Sequence, residues 1–194
     1  MSLETLGNKK NPRVIIIGVF HGDEPQGKYL IEKYFEEIPD TALFLIPCLN
    51  KTGFVNNTRT NSNGVDLNRN FPTENWIKSE KNEYYGGEAP ASEVETRELI
   101  DIITKYNPKA ILSLHAPYKV VNYDGDAKEL AEKISKIINY PVEENIGYPT
   151  PGSFGTWAGI ERNIPTITLE LDEEIDVKDL EEPVFDIFRM LERY

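Results

Sequence analysis

Apolar and polar positions along this chain switch repeatedly between strand-like runs and helical spacing. Val14–Phe20, reading VIIIGVF, is continuous and rich in β-branched residues, which suits a central strand buried on both faces. From Pro25 to about Glu37, Tyr29, Leu30, Tyr34 and Phe35 recur at helical spacing, and Pro25 fits a first helical turn. Ala42–Pro47 predicts a second strand. A polar stretch rich in Asn, Thr and Gly runs from Leu49 to about Ala91, and irregular segments of that length in a compact domain are usually functional or disordered. Ser92-Glu93-Val94-Glu95 has the form of a capping box with Ser92 as N-cap, opening a helix to about Tyr106. Ala110–Leu114 predicts a third strand and Lys119–Asn122 a short fourth. Ala127–Ile138 predicts a helix carried by Leu130, Ile134, Ile137 and Ile138. The glycine-rich stretch around Tyr148–Gly159 is expected to be a loop with room for one helical turn. Thr166–Leu171 predicts a further strand, and Val177–Arg193 a closing helix. Strands alternating with helices predict an α/β fold with a mixed, largely parallel twisted sheet and helices on both faces. No repeat, low-complexity tract or linker interrupts the pattern, so residues 1–194 are expected to form one domain.

Composition narrows the function classes. No apolar run approaches the roughly 20 residues needed to span a bilayer, so no membrane role is expected. Thirty-three acids against 21 bases leave a formal charge of -12, which argues against nucleic acid, whose phosphates call for cationic side chains. The lone cysteine, Cys48, allows no internal disulfide and fits a reducing compartment. The first apolar run leads straight into the chemistry-bearing residues, so it is not read as a cleavable leader. A cytoplasmic protein is the expectation. Nothing in the sequence bears on oligomeric state.

Only two histidines occur, His21 and His115, and each directly follows a strand-like run. If those strands are parallel neighbours, both imidazoles emerge at the same sheet edge, where sites form in such folds. Glu24 stands three residues after His21, in His-Gly-Asp-Glu. Two imidazoles and a carboxylate are a standard set for one catalytic Zn2+, with a position left for water. The competing reading is that both histidines only hydrogen-bond locally. Glu170, in Thr-Ile-Thr-Leu-Glu-Leu, closes the last strand. There it is placed to take a proton from an attacking water and return it to a leaving amine, or it is one more surface acid beside Asp172, Glu173 and Glu174. Arg59 and Arg69 lie in a largely uncharged polar stretch of an acidic protein, which suggests recognition of a carboxylate or stabilisation of an oxyanion. Asp66 between them is suited to orient a ligating imidazole. The alternative for this stretch is a polar surface loop whose Asn and Gly form turns.

In order along the chain, HGDE at His21, RTNSNGVDLNRNF from Arg59, YYGGEAPASEVET from Tyr84, SLHA around His115, GSFGTWAG from Gly152 and TLEL around Glu170 resemble the zinc carboxypeptidase family. Within it the likeness is to the branch of bacterial murein peptide amidases, which cleave γ-D-glutamyl–diaminopimelate bonds. The resemblance implies that His21, Glu24 and His115 hold one zinc ion and that Glu170 is the general base and acid. It implies that Arg59 polarises the scissile carbonyl, Asn68 and Arg69 clamp the substrate's terminal carboxylate, and Asp66 supports the first histidine. Tyr148 matches a tyrosine that closes over substrate, and Tyr84 and Tyr85 are read as structural. The family's Asn-Pro-Asp-Gly segment stands here as Asn50-Lys51-Thr52-Gly53, and the chain is shorter than digestive carboxypeptidases. Both departures leave the substrate open. The expected substrate is a small peptide with a free carboxylate. The alternative is an N-acyl amino acid, cleaved by a deacylase of the aspartoacylase and succinylglutamate desuccinylase type.

Overall fold

The computed structural model describes residues 3–144 and 149–194. Seven strands form one sheet: β1 (Leu6–Gly7), β2 (Val14–Gly18), β3 (Phe44–Ile46), β4 (Ala110–His115), β5 (Val120–Asp124), β6 (Val142–Glu143) and β7 (Thr166–Glu170). Five α-helices accompany them: α1 (Gln26–Glu37), α2 (Lys51–Asn56), α3 (Val94–Tyr106), α4 (Lys128–Ile138) and α5 (Glu181–Leu191). The strand order is β1-β3-β2-β4-β7-β5-β6. The pairs β2–β3, β2–β4, β4–β7 and β5–β6 are parallel, while β1–β3 and β5–β7 are antiparallel. The expected mixed, largely parallel α/β sheet is what the chain forms.

Alternation along β2 explains the layers. Val14 and Ile16 point into a core with Leu30, Tyr34, Leu130, Ile134, Phe185 and Phe188, contributed by α1, α4 and α5. Ile15 and Ile17 point the other way, against Leu99 and Ile103 of α3 and the aromatics Phe71, Phe154 and Trp157. Helices therefore cover both faces, and the continuous apolar run of β2 is the signature of a strand without a solvent side. The chain leaves β2 for β3 on one side and later adds β4 on the other. That reversal opens a crevice beyond the carboxyl ends of β2 and β4.

Some expectations are corrected. The capping box does not form: the N-cap of α3 is Glu93, without a side-chain cap bond. The Ser92 hydroxyl is taken by Asn70 and Glu93, and the Glu93 carboxylate accepts from Asn61 and Asn63, so tertiary partners outcompete the local cap. The long polar stretch holds the unexpected helix α2, whose N-cap is Asn50. The closing helix begins as a 3-10 turn, Val177–Leu180, and becomes α-helical only from Glu181. β5 extends two residues beyond the expected strand, to Asp124.

Candidate active site

Three strand ends deliver the chemistry. His115 is the last residue of β4 and pairs in register with Glu170, the last residue of β7. His21 follows β2 by three residues. Between them Val19 adopts a φ of 55°, a conformation β-branched residues rarely take, and turns the chain out of the strand. A backbone bond from Glu24 N–H to His21 O closes the next turn and brings both side chains to one side. Gly22 is required there, because a Cβ would collide with the backbone of Gly53 in α2. Asn50, which opens the Asn50-Lys51-Thr52-Gly53 segment, anchors two loops. The Asn50 amide donates to Phe20 O (3.3 Å) and Arg59 O (3.1 Å), tying the approach to His21 to the arginine loop.

The sequence-predicted residues converge. Glu24 Oε1 lies 2.7 Å from His21 Nδ1, and Glu24 Oε2 lies 3.0 Å from His115 Nδ1. One ligating atom from each of these three residues falls within 4.8 Å of the others. Phe20 stacks on His115 at 5.3 Å and holds its ring. On the far side of the His21 ring, Nε2 is 3.2 Å from Asp66 Oδ1, so both nitrogens of His21 face carboxylates. Asp66 is fully buried and also accepts from Asn68 N (2.8 Å) and from Arg59 Nε (3.0 Å) and Nη2 (2.9 Å).

Charge follows from these distances. Burial alone would lower the His21 pKa, but the carboxylates of Asp66 and Glu24 outweigh it and hold the imidazole up to about 9. Burial opposes ionisation of Glu24 and Asp66 too, yet His21 and the neighbouring cations or imidazole hydrogen bonds keep both well below the usual carboxylate range. Burial pulls His115 down against Glu24. Glu170 goes the other way: burial first, then the charge of Glu24, push it up to about 8. Its Oε2 is buried and has no hydrogen-bond partner among the described residues. A carboxylate wedged between two imidazoles, with the far nitrogen of one backed by a second carboxylate, suits a divalent cation that replaces the bridging protons. Two nitrogens and one oxygen without sulfur are the donor set of catalytic zinc.

Further polar and aromatic groups surround this centre. Arg59 spends Nε and Nη2 on Asp66, while Nη1 stays 3.8 Å from Glu24 Oε1 and its guanidinium lies 5.0 Å over the Tyr84 ring. Tyr84, read as structural from sequence, therefore forms part of the cavity wall. Tyr85 is buried and donates its hydroxyl to Glu88. Asn68 Oδ1 accepts from Phe154 N (2.8 Å), which leaves its amide NH2 for other partners. Arg69 Nη1 donates to Asn68 O (2.7 Å). Tyr148 lies outside the described residues. Arg59, Asn68, Arg69 and Tyr84 line a cavity of about 310 Å³ with Glu170, Asn122, Asp124 and Thr168. The last three were missed in the sequence. The polar pair Asn122 and Asp124 at alternate positions of VVNYD is the signal that marks a polar face on that strand.

The family model of zinc carboxypeptidases matches residues 2–144. A murein peptide amidase A of Vibrio campbellii is 33% identical, over 84% of this chain and 71% of that protein. Its Escherichia coli K12 counterpart is 31% identical, over 80% and 69%. The crystal structure of a murein-tripeptide amidase from Escherichia coli O157 superposes with a TM-score of 0.82 at 28% identity, covering 96% of this chain and 83% of that one. The chain belongs to the zinc carboxypeptidase family and is a hydrolase of peptide or amide bonds.

Proposed function

We propose that the chain is a single catalytic unit that cleaves the amide bond next to a free carboxylate in small peptides of the γ-D-glutamyl-diaminopimelate type, using one zinc ion held by His21, Glu24 and His115. The observation that carries this reading is the convergence of those three residues with Glu170, whose buried Oε2 has no hydrogen-bond partner among the described residues, at the ends of β2, β4 and β7. The substrate class rests on the relatives named murein peptide amidase. When bound, zinc polarises the scissile carbonyl and lowers the pKa of water toward about 7. The protein's own groups do the rest. The remaining donors of Asn68 and Arg69 grip the terminal carboxylate and fix the amide beside Glu170. Glu170 takes a proton from the attacking water and hands it to the departing amine. The Nη1 arm of Arg59 meets the oxyanion as water adds. Asp66 keeps the far nitrogen of His21 engaged, so that Nδ1 would be the nitrogen left to hold the metal. Cytoplasmic placement is part of this reading: Cys48 is free and buried, and no described helix is long and apolar enough to cross a membrane.

Metal analysis of the purified protein, followed by parallel assays on a γ-D-glutamyl tripeptide and an N-acyl amino acid, tests the proposal. The expected result is one zinc per chain and hydrolysis of the tripeptide. Preference for the acyl amino acid supports the deacylase alternative instead, and absence of tightly bound metal overturns both.

A further inference from the structure

Arg59 is fastened at its backbone but only pivoted at its guanidinium. Its carbonyl oxygen accepts from Gly22 N–H (3.4 Å) and from the Asn50 amide (3.1 Å), which pins the main chain beside the His21 turn. At the other end, Nε (3.0 Å) and Nη2 (2.9 Å) both donate to a single oxygen, Asp66 Oδ2. The second oxygen, Oδ1, is engaged by His21 Nε2 and Asn68 N. A guanidinium paired fork to fork with both oxygens of a carboxylate has its plane fixed, whereas two bonds to one oxygen leave a pivot. Nη1 stands 3.8 Å from Glu24 Oε1, beyond hydrogen-bond distance, and adds no further bond.

The remaining restraint is an aromatic ring. The centre of the Arg59 guanidinium lies 5.0 Å from the centroid of the Tyr84 ring, within reach of cation–π attraction. Tyr84 is itself held in place. Its N–H donates to Asn82 Oδ1 (2.8 Å), and the carbonyl of the buried Tyr85 accepts from Asp66 N–H (2.8 Å). Gly86 accepts from the Asn70 amide (2.7 Å) and approaches Arg69 O so closely that a Cβ there would collide. The segment carrying the ring is thus bonded to the segment carrying the pivot. Among the described residues the Tyr84 hydroxyl makes no hydrogen bond, so the ring alone does the holding. We propose that Tyr84 is a positioning residue for the reaction: its ring stops the Arg59 guanidinium from swinging about Asp66 Oδ2 and keeps Nη1 on the Glu24 side, where the oxyanion forms. The inference rests on the oxyanion role of Arg59 and deepens it. A donor aimed before charge develops spends nothing on reorientation during the reaction, and a swinging one does. Tyr84 is 48% exposed, so removing its side chain leaves the core packing intact.

The test uses zinc-loaded enzyme and whichever of the γ-D-glutamyl tripeptide and the N-acyl amino acid wild type cleaves faster. Tyr84→Ala is expected to lower kcat about tenfold with KM within about twofold, the middle of the range for a cation–π contact. Tyr84→Phe keeps the ring and should recover most of that loss. Arg59→Ala is expected to cost about 10²–10³-fold in kcat. Adding Tyr84→Ala to it should cost less than about twofold more, because the ring then has nothing to hold. A phosphonate analogue of the substrate, whose tetrahedral anion stands for the water adduct, should bind Tyr84→Ala about tenfold more weakly in calorimetry. Wild-type kcat in Tyr84→Ala, a rise in its KM alone, or an equal tenfold fall in the Arg59→Ala background overturns the positioning role. Wild-type kcat in Arg59→Ala overturns the oxyanion reading and the role of Tyr84 together.

Discussion

Replacing Glu170 by glutamine keeps the shape of the side chain and removes its charge, so two opposite effects are expected from one substitution. The residue is 8% exposed, and burial with the charge of Glu24 raises its pKa from 4.5 to about 8. An acid whose folded pKa lies above its unfolded value binds more protons when folded, so stability falls as pH rises between the two values. At 1.36 kcal/mol per unit, the metal-free protein loses about 1 kcal/mol or less at pH 5 and ~4 kcal/mol by pH 8. Glu170→Gln has no such proton to release. Stripped of metal, it should match wild type near pH 5 in urea denaturation and exceed it by a few kcal/mol near pH 8. Loaded with zinc, it should keep the metal and lose about 10²–10⁴-fold in turnover, the range for a lost general base. A variant that holds zinc and turns over at more than about a tenth of the wild-type rate refutes the base assignment. Equal stability of the two proteins at both pH values refutes the burial argument behind it.

Arg69→Ala is expected to raise KM for carboxylate-terminated peptides by about 30-fold, with little effect on the residual cleavage of C-terminally amidated ones. Equal losses on both in steady-state kinetics would remove Arg69 from the clamp. Zinc must displace the proton that Asp66 and Glu24 hold on His21, whose pKa stands at about 9. Affinity should therefore climb by up to about tenfold per pH unit between pH 6.5 and 9, and chelator competition reads this directly. A flat profile contradicts it. In the metal-free protein the same raised pKa contributes stability that is complete below about pH 6.5 and lost as pH rises through about 9. Gly22→Ala forces a Cβ into the Gly53 backbone. It should cost about 1–3 kcal/mol in thermal or chemical melts and weaken zinc binding by moving the His21–Glu24 turn. Unchanged melting and metal content would show that the close approach is dispensable.

The sequence by itself determined the sheet and the reactive types. VIIIG and AILSL read as strands buried on two faces, and a histidine just beyond each, with a glutamate three residues after the first, pointed to a metal site over local hydrogen bonding, because strand pattern and ligand chemistry are local properties. The motif order carried the family and with it the arginine pair. Tertiary structure decided which partners those residues keep. Ser92 had the spacing of a helix cap, yet Asn70 from a distant loop took its hydroxyl. Tyr84 carried no chemical signal until Arg59 settled over its ring. Asp124 ended a strand like any surface acid until β7 paired antiparallel beside it and the bare backbone of Gly155 left room for its carboxylate. The physical reason is common to all three. Whether a polar group is capped, stacked or packed on bare backbone depends on what lies across from it, and that neighbour comes from another part of the chain.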